Sequence, residues 1–198
     1  MDNNSNIKTD SLSSNLGKLN ELNKLNKLKD RVDNNGDKHM IVKFGDVEIK
    51  SGNKYPLSLV QKDKPVYYYN KNENNENRKN IKNRMVYHTL VMVDRDVRDG
   101  VMIHQCLYNI PNFEFDKASV FYPWYPPTPP VGTGEHRYYF ILYSQDSMIS
   151  DNLQNNNGNR KNRLQRWFSN YGDFSSKIPI ELSPLACKCM ICSGDYIE

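Results

Sequence analysis

From residue 40 onward, apolar and polar positions follow the period of a strand far more often than that of a helix. In MIVKFGDVEI, Val42 and Phe44 are set against Ile41, Lys43 and Gly45, which is the alternation of a half-buried strand. Residues 57–60 and 65–69 read as two more strands, separated from the first by a turn at Gly52. Residues 86–93 form an almost unbroken apolar run of strand length, so this strand is predicted to be central, with both faces covered. It stops at Asp94-Arg95-Asp96. Further strands are predicted at 102–110, at the aromatic run 138–143 and at 182–191.

Helical spacing occurs in two places. In LGKLNELNKLNKLKDRV, Leu16, Leu19, Leu22, Leu25 and Leu28 recur every third residue. Each step drifts about 60° backwards round a helix, so the stripe winds instead of holding one face. That suits a short helix docked on a surface better than a coiled coil, whose heptads alternate three and four. In RLQRWFSNYGDF, residues Leu164, Trp167, Phe168 and Tyr171 predict an amphipathic helix packed on the body. Asn-rich loops at 70–84 and 151–162 have nothing to bury. The expected organisation is a polar N-terminal extension with a Leu-rich helix over 1–38, then one domain over 39–198. Many short strands with helices at the edges predict a mainly β fold of two packed antiparallel sheets with flanking helices.

Composition narrows the function. The 198 residues are 37% hydrophobic and carry a net charge of +4. The basic residues are scattered, with no stripe interleaved with aromatics, so nucleic acid is not an expected partner. The apolar runs are too short to span a bilayer. The N-terminus is polar and lacks the apolar core of a signal peptide, so the expected compartment is the cytoplasm. There the four cysteines are expected to be thiols. Cys187, Cys189 and Cys192 form C-x-C-x-x-C, but on a predicted strand rather than a turn, so they read as core thiols and not as zinc ligands. No metal or cofactor is expected.

The candidate chemistry lies where polar groups interrupt buried strands. Asp94 ends one, His104 sits among Ile103, Cys106 and Leu107, and His136 opens another. Such groups are costly away from water unless they find partners. If the three strands are neighbours, a carboxylate and two imidazoles converge. Imidazole titrates near physiological pH, and a neighbouring carboxylate favours its cation. Such a cluster suits a small anion, phosphate above all. In Pro126-Pro127-Thr128-Pro129-Pro130 only Thr128 keeps an N–H, a donor with no regular ladder to join. Gly132 and Gly134 let the backbone pass close by. Arg137 should point to the opposite face from His136 and form a buried ion pair with a carboxylate such as Asp96.

These residues also carry a family resemblance. YHTLVMVDRD, residues 87–96, is similar to the Tyr-Thr-Leu-Val-Met-x-Asp-Pro-Asp block of the phosphatidylethanolamine-binding protein family, also called Raf kinase inhibitor proteins. IHQCLYNIP resembles that family's strand with a pocket His, and YPPTPPVGTGEHRYYFILY resembles its Pro-Pro-x-Gly-x-Gly-x-His-Arg-Tyr block. MIVKFGDVEIKSG and PLACKCM stand where the family has its first and last strands. The resemblance covers roughly residues 40–196.

The resemblance implies two antiparallel sheets and a pocket for anionic head groups such as phosphoethanolamine. It implies a pocket of Asp94, His104, His136 and Tyr138. Thr128 stands at a usual pocket Gly and Trp124 at a usual aromatic of the mouth. Tyr196 matches a C-terminal Tyr once one residue is skipped. Arg95 and Arg98 replace both prolines of the Asp-Pro-Asp-x-Pro loop, placing two cations near the pocket, so Arg98 joins the candidate ligand contacts. Gln105 replaces the aromatic after the pocket His.

The resulting expectation is a non-enzymatic binding protein, with no catalytic residues. It would hold a phosphate or phosphoethanolamine head group, or a phosphorylated peptide, and regulate a partner such as a kinase or protease. The rival is a phosphoester hydrolase using Asp94, His104 and His136, against which stands the lack of an evident nucleophile in these blocks. A third reading is a protein-interaction factor acting through the Leu-rich N-terminus.

Overall fold

The computed structural model describes residues 39–70, 85–150, 166–169, 173–174 and 184–195. The Leu-rich segment, both Asn-rich loops, Leu164, Tyr171 and Tyr196 lie outside the described residues.

Alternation in the first segment gives β1 (Met40–Phe44), which turns at Gly45 into β2 (Val47–Glu48). β3 (Val66–Tyr69) pairs with the other edge of β1, making a small antiparallel sheet in the order β2-β1-β3. The second sheet is larger. It contains β4 (Tyr87–Asp94), β5 (Val101–Pro111), β6 (Ser119–Tyr122), β7 (Glu135–Gln145) and β9 (Pro184–Ser193) in the order β6-β5-β4-β7-β9. β8 (Trp167–Phe168) pairs with β5 beside β6. The strand pairs are antiparallel, so the chain is mainly β, with two antiparallel sheets as expected.

The apolar run in β4 is explained by its two covered faces. Val91 and Val93 belong to one buried cluster with Ile103, Tyr108, Tyr143, Phe168 and Phe174. Leu90 and Met92 belong to the other, with Met40, Val42 and Phe44 of the small sheet and Phe140, Leu142 and Met190 of the large one. The second cluster is the inter-sheet core, and the functional residues lie on that face.

Two elements differ from the periodicity. Residues 57–60 form a helix, α1 (Leu57–Val60), not a strand. Four residues are too few for periodicity to separate one turn of helix from a strand. Pro56, with φ −69°, sets the chain for entry into that turn. Trp167 and Phe168 are a strand, not helix. β6 covers β5 at 106–108 only, and Trp167-Phe168 take up the ladder at Val101 and Met102. Pairing to an open strand edge overrides the helical spacing of the aromatics.

Candidate functional site

The register brings the predicted residues together. On β4, positions 90, 92 and 94 share the inter-sheet face, so Asp94 is the polar end of an apolar row. On β7, His136 and Tyr138 begin the row that continues as Phe140 and Leu142. Asp94 stands directly opposite Tyr138 in the ladder, and also opposite Met102 of β5. His104 lies two residues beyond Met102 on the same face. Asp94, His104, His136 and Tyr138 are all buried, at 2% exposure or less.

Their contacts are specific. The His136 Nδ1 lies 2.8 Å from Asp94 Oδ2. Asp94 Oδ1 accepts the Asp96 backbone N–H at 2.9 Å. The His104 Nδ1–H donates to the Tyr125 carbonyl at 2.9 Å, and Tyr125 N–H returns a bond to the His104 carbonyl at 2.8 Å. In a neutral ring that leaves His104 Nε2 as an acceptor, and in the cation Nε2 becomes a donor to a ligand oxygen. The Tyr138 ring packs against both imidazoles. Its centroid is 5.1 Å from His104, edge to face, and 6.4 Å from His136, nearly parallel. The Tyr138 hydroxyl is buried without a well-formed hydrogen bond among the described residues.

The electrostatics follow from burial. Loss of water raises the Asp94 carboxyl above its ordinary range, and the bonds from His136 and Asp96 offset only part of this. Burial, and then the nearby Asp94 charge, keep the Tyr138 phenol protonated far above neutrality. The phenol is thus a buried proton donor held near the Asp94 carboxylate without a well-formed hydrogen bond.

The loop from Tyr122 to Glu135 closes over one end of this cluster. The side chain of Gln61, which caps α1, donates to the Pro127 carbonyl at 2.6 Å and anchors the proline run. The ring of Trp124 packs 5.7 Å from Phe44. The Thr128 hydroxyl is buried without a partner among the described residues. Thr133 N–H bonds to the Pro130 carbonyl at 3.2 Å, closing a turn whose third residue, Gly132, has φ +81°. That position of a type II turn favours glycine. The Thr133 hydroxyl meets His136 Nε2 at 2.9 Å.

Some expected contacts are not in the cluster. Arg98 has a side chain 94% exposed and lies 3.5 Å from Asp99, so the structure does not bring it to the imidazoles. Arg137 does pair with Asp96, at 2.5 Å, but the guanidinium is 54% exposed, so the pair is at the surface and not buried. Tyr196 is not among the described residues.

Other residues at the site were not expected. Cys192 stands opposite His136 across the β7–β9 ladder. It is buried, and burial followed by the Asp94 charge pushes its thiol up to about 12. Its parity with Met190 places it on the inter-sheet face, a signal legible only once β7 and β9 are known to be neighbours. Arg166, 1% exposed, fills the gap in the β5 edge between β6 and β8. It donates to the carbonyls of Ile103 and His104 and lies 5.4 Å from the rings of Tyr122 and Tyr125. Nothing in the spacing of RLQRWF marks it. Among the described residues, no group of three His, Cys, Asp or Glu side chains is placed to hold a metal ion.

Comparison with known proteins agrees with this architecture. The family model for phosphatidylethanolamine-binding protein matches residues 77–173, which include β4 to β7 and all four clustered polar groups. A 26 kDa secreted antigen of Toxocara canis is 35% identical over 75 residues, which is 35% of this chain and 29% of the antigen. The solution structure of the protein CG7054 superposes with a TM-score of 0.55 at 26% identity, covering 80% of this chain and 86% of that one. A carboxypeptidase Y inhibitor, crystallised with its cognate proteinase, has a TM-score of 0.62 at 17% identity, covering 90% of this chain and 95% of that one. The chain belongs to the phosphatidylethanolamine-binding protein family.

Proposed function

We propose that this protein is a non-enzymatic binding protein for a small phosphate-type anion, held by Tyr138, His104 and His136 beside Asp94. The ligand is a phosphate or phosphoethanolamine head group, or the phosphate of a phosphorylated peptide. Its capture regulates a protein partner. The observation that carries this reading is the Tyr138 hydroxyl, fully buried on a ring that packs against both imidazoles and without a well-formed hydrogen bond among the described residues. A buried donor left unmade costs about 1–3 kcal/mol, and an oxyanion satisfies it. The Thr128 hydroxyl is a second donor in the same condition.

Two further observations support the finer parts. The thiol nearest the carboxylate, Cys192, is pushed up to about 12 and is not a thiolate at neutral pH, which makes it a poor nucleophile and favours binding over hydrolysis. The fold is shared with an inhibitor seen in complex with its proteinase, which favours a protease over a kinase as the regulated partner. The cysteines Cys106, Cys187, Cys189 and Cys192 are free and buried, which suits a cytoplasmic setting.

Titration calorimetry at pH 7 with phosphoethanolamine and with inorganic phosphate tests the reading. We expect saturable binding of both, each competing with the other, and no release of phosphate from a phosphomonoester. No heat and no thermal shift with either anion sinks the binding reading. Turnover that disappears in His136→Ala replaces it with the hydrolase.

A further inference from the structure

The site has a contact that an incoming anion has to replace. The Thr133 hydroxyl lies 2.7 Å from the Pro130 carbonyl oxygen and 2.9 Å from His136 Nε2. A carbonyl oxygen only accepts. The single hydroxyl proton therefore lies on the bond to Pro130, and the Thr133 oxygen must accept from His136. So Nε2 carries a proton, and the other ring nitrogen shares one with Asp94 at 2.8 Å. Both edges of the ring are thus committed to the protein.

The position of Thr133 gives this contact a direction. His136 is 2% exposed, whereas Thr133, three residues earlier, is exposed. The hydroxyl stands between the Nε2 proton and solvent. Its loop is held from behind by the end of β9. Asp195 Oδ1 accepts the Gly132 N–H at 2.7 Å, the Ser193 hydroxyl donates to the Gly134 carbonyl at 3.3 Å, and Gly194 packs against the backbone of Pro129 and Pro130.

From this we infer that Thr133 is a latch on the anion site: its hydroxyl occupies the place on His136 Nε2 that a ligand oxygen takes, and it sets how tightly a bare phosphate binds. This inference rests on the anion-binding reading above and names a residue that determines its strength. A neutral hydroxyl is a weaker acceptor than an oxyanion, so the exchange is favourable. It is nonetheless less favourable than binding to an uncovered N–H would be. Ligands whose oxyanion reaches Nε2 are selected over those that touch only Tyr138 and His104.

The test uses the full chain and inorganic phosphate as the probe. Thr133→Ala removes the competing acceptor and should bind phosphate about 3- to 10-fold tighter, the effect of one net hydrogen bond. Thr133→Ser keeps the hydroxyl and should match the parent. The gain should vanish when Thr133→Ala is combined with His136→Phe. Independently of any ligand, the His136 Nε2 proton should give a slowly exchanging NMR signal in the parent and in Thr133→Ser, and lose it in Thr133→Ala. Parent binding with no gain in Thr133→Ala overturns the latch alone. Absence of phosphate binding in parent and variants alike overturns the anion site itself, and the latch with it. Binding by Thr133→Ala only supports the latch at its strongest.

Discussion

A phenol buried to 0% exposure without a well-formed hydrogen bond is an expensive way to fill a core, because Phe has the same shape without the cost. Tyr138 therefore gives a sharp prediction. Tyr138→Phe should leave thermal stability unchanged or raise it by up to about 1 kcal/mol, since the orphan hydroxyl is removed. The same change should weaken phosphoethanolamine binding by about 5- to 10-fold in calorimetry. A fall of stability of about 2 kcal/mol instead would mean that the hydroxyl is satisfied inside the protein. His136 differs in kind: its nitrogens are engaged by Asp94 and Thr133, so it is held in place before any ligand arrives. His104 shares that property at one nitrogen, through the Tyr125 carbonyl. Two rings fixed by backbone and carboxylate, with a phenol packed against both, form a rigid receptor.

Strands place these groups, and the loop between β6 and β7 covers them. That loop is positioned from three elements: α1 through Gln61, β1 through the Phe44–Trp124 contact, and β9 through residues 193–195. Gly194 shows how tight the last contact is. A Cβ there would come within 2.2 Å of the Pro129 carbonyl oxygen and 2.8 Å of the Pro130 carbonyl group. Both neighbours are backbone and cannot swing aside. Gly194→Ala should therefore push the proline loop away from β9 and lower stability by about 1–3 kcal/mol, the usual cost of overpacking. Thermal denaturation measures it, and loss of the Asp195 bond to Gly132 should accompany it in amide exchange. An unchanged melting temperature would show that the β9 end is not packed on the loop.

At the scale of the whole molecule, the Asp96–Arg137 pair ties the chain after β4 to β7 on the face opposite the site. Asp96 accepts the Arg137 backbone N–H at 2.7 Å and the guanidinium at 2.9 and 2.5 Å. Burial acts to raise the Asp96 carboxyl, but the bonds from Arg137 outweigh it, and the net shift is downward. A folded carboxyl below its unfolded value binds protons less readily than the unfolded chain does. Its contribution to stability is thus complete above the unfolded value of about 3.9 and is lost as pH falls through the folded one. With the guanidinium 54% exposed, solvent screening limits it to about 1 kcal/mol. Asp96→Asn should lower stability by that amount at pH 7, and the gap should narrow as pH falls below the unfolded value of about 3.9 in acid denaturation. A gap that persists at low pH would mean that packing, not charge, holds the contact.

Local pattern was enough for much of this. Alternation and apolar runs marked β1, β4, β5, β7 and β9, because a strand with one or two buried faces must show its burial in sequence. The same rows exposed Asp94, His104 and His136, as polar residues that interrupt an apolar period are conspicuous. Where burial leaves no period, the pattern failed. One turn of helix at Leu57–Val60 looks like a strand, and Trp167-Phe168 took the state of the strand edge they met. Arg98, a cation close in sequence to Asp94, turned out to face solvent, since chain proximity does not set the direction of a loop side chain. Cys192 beside Asp94 and Arg166 under His104 depend on which strands are neighbours and in what register. Those are relations between segments up to tens of residues apart, which no window along the chain contains and only packing in three dimensions decides.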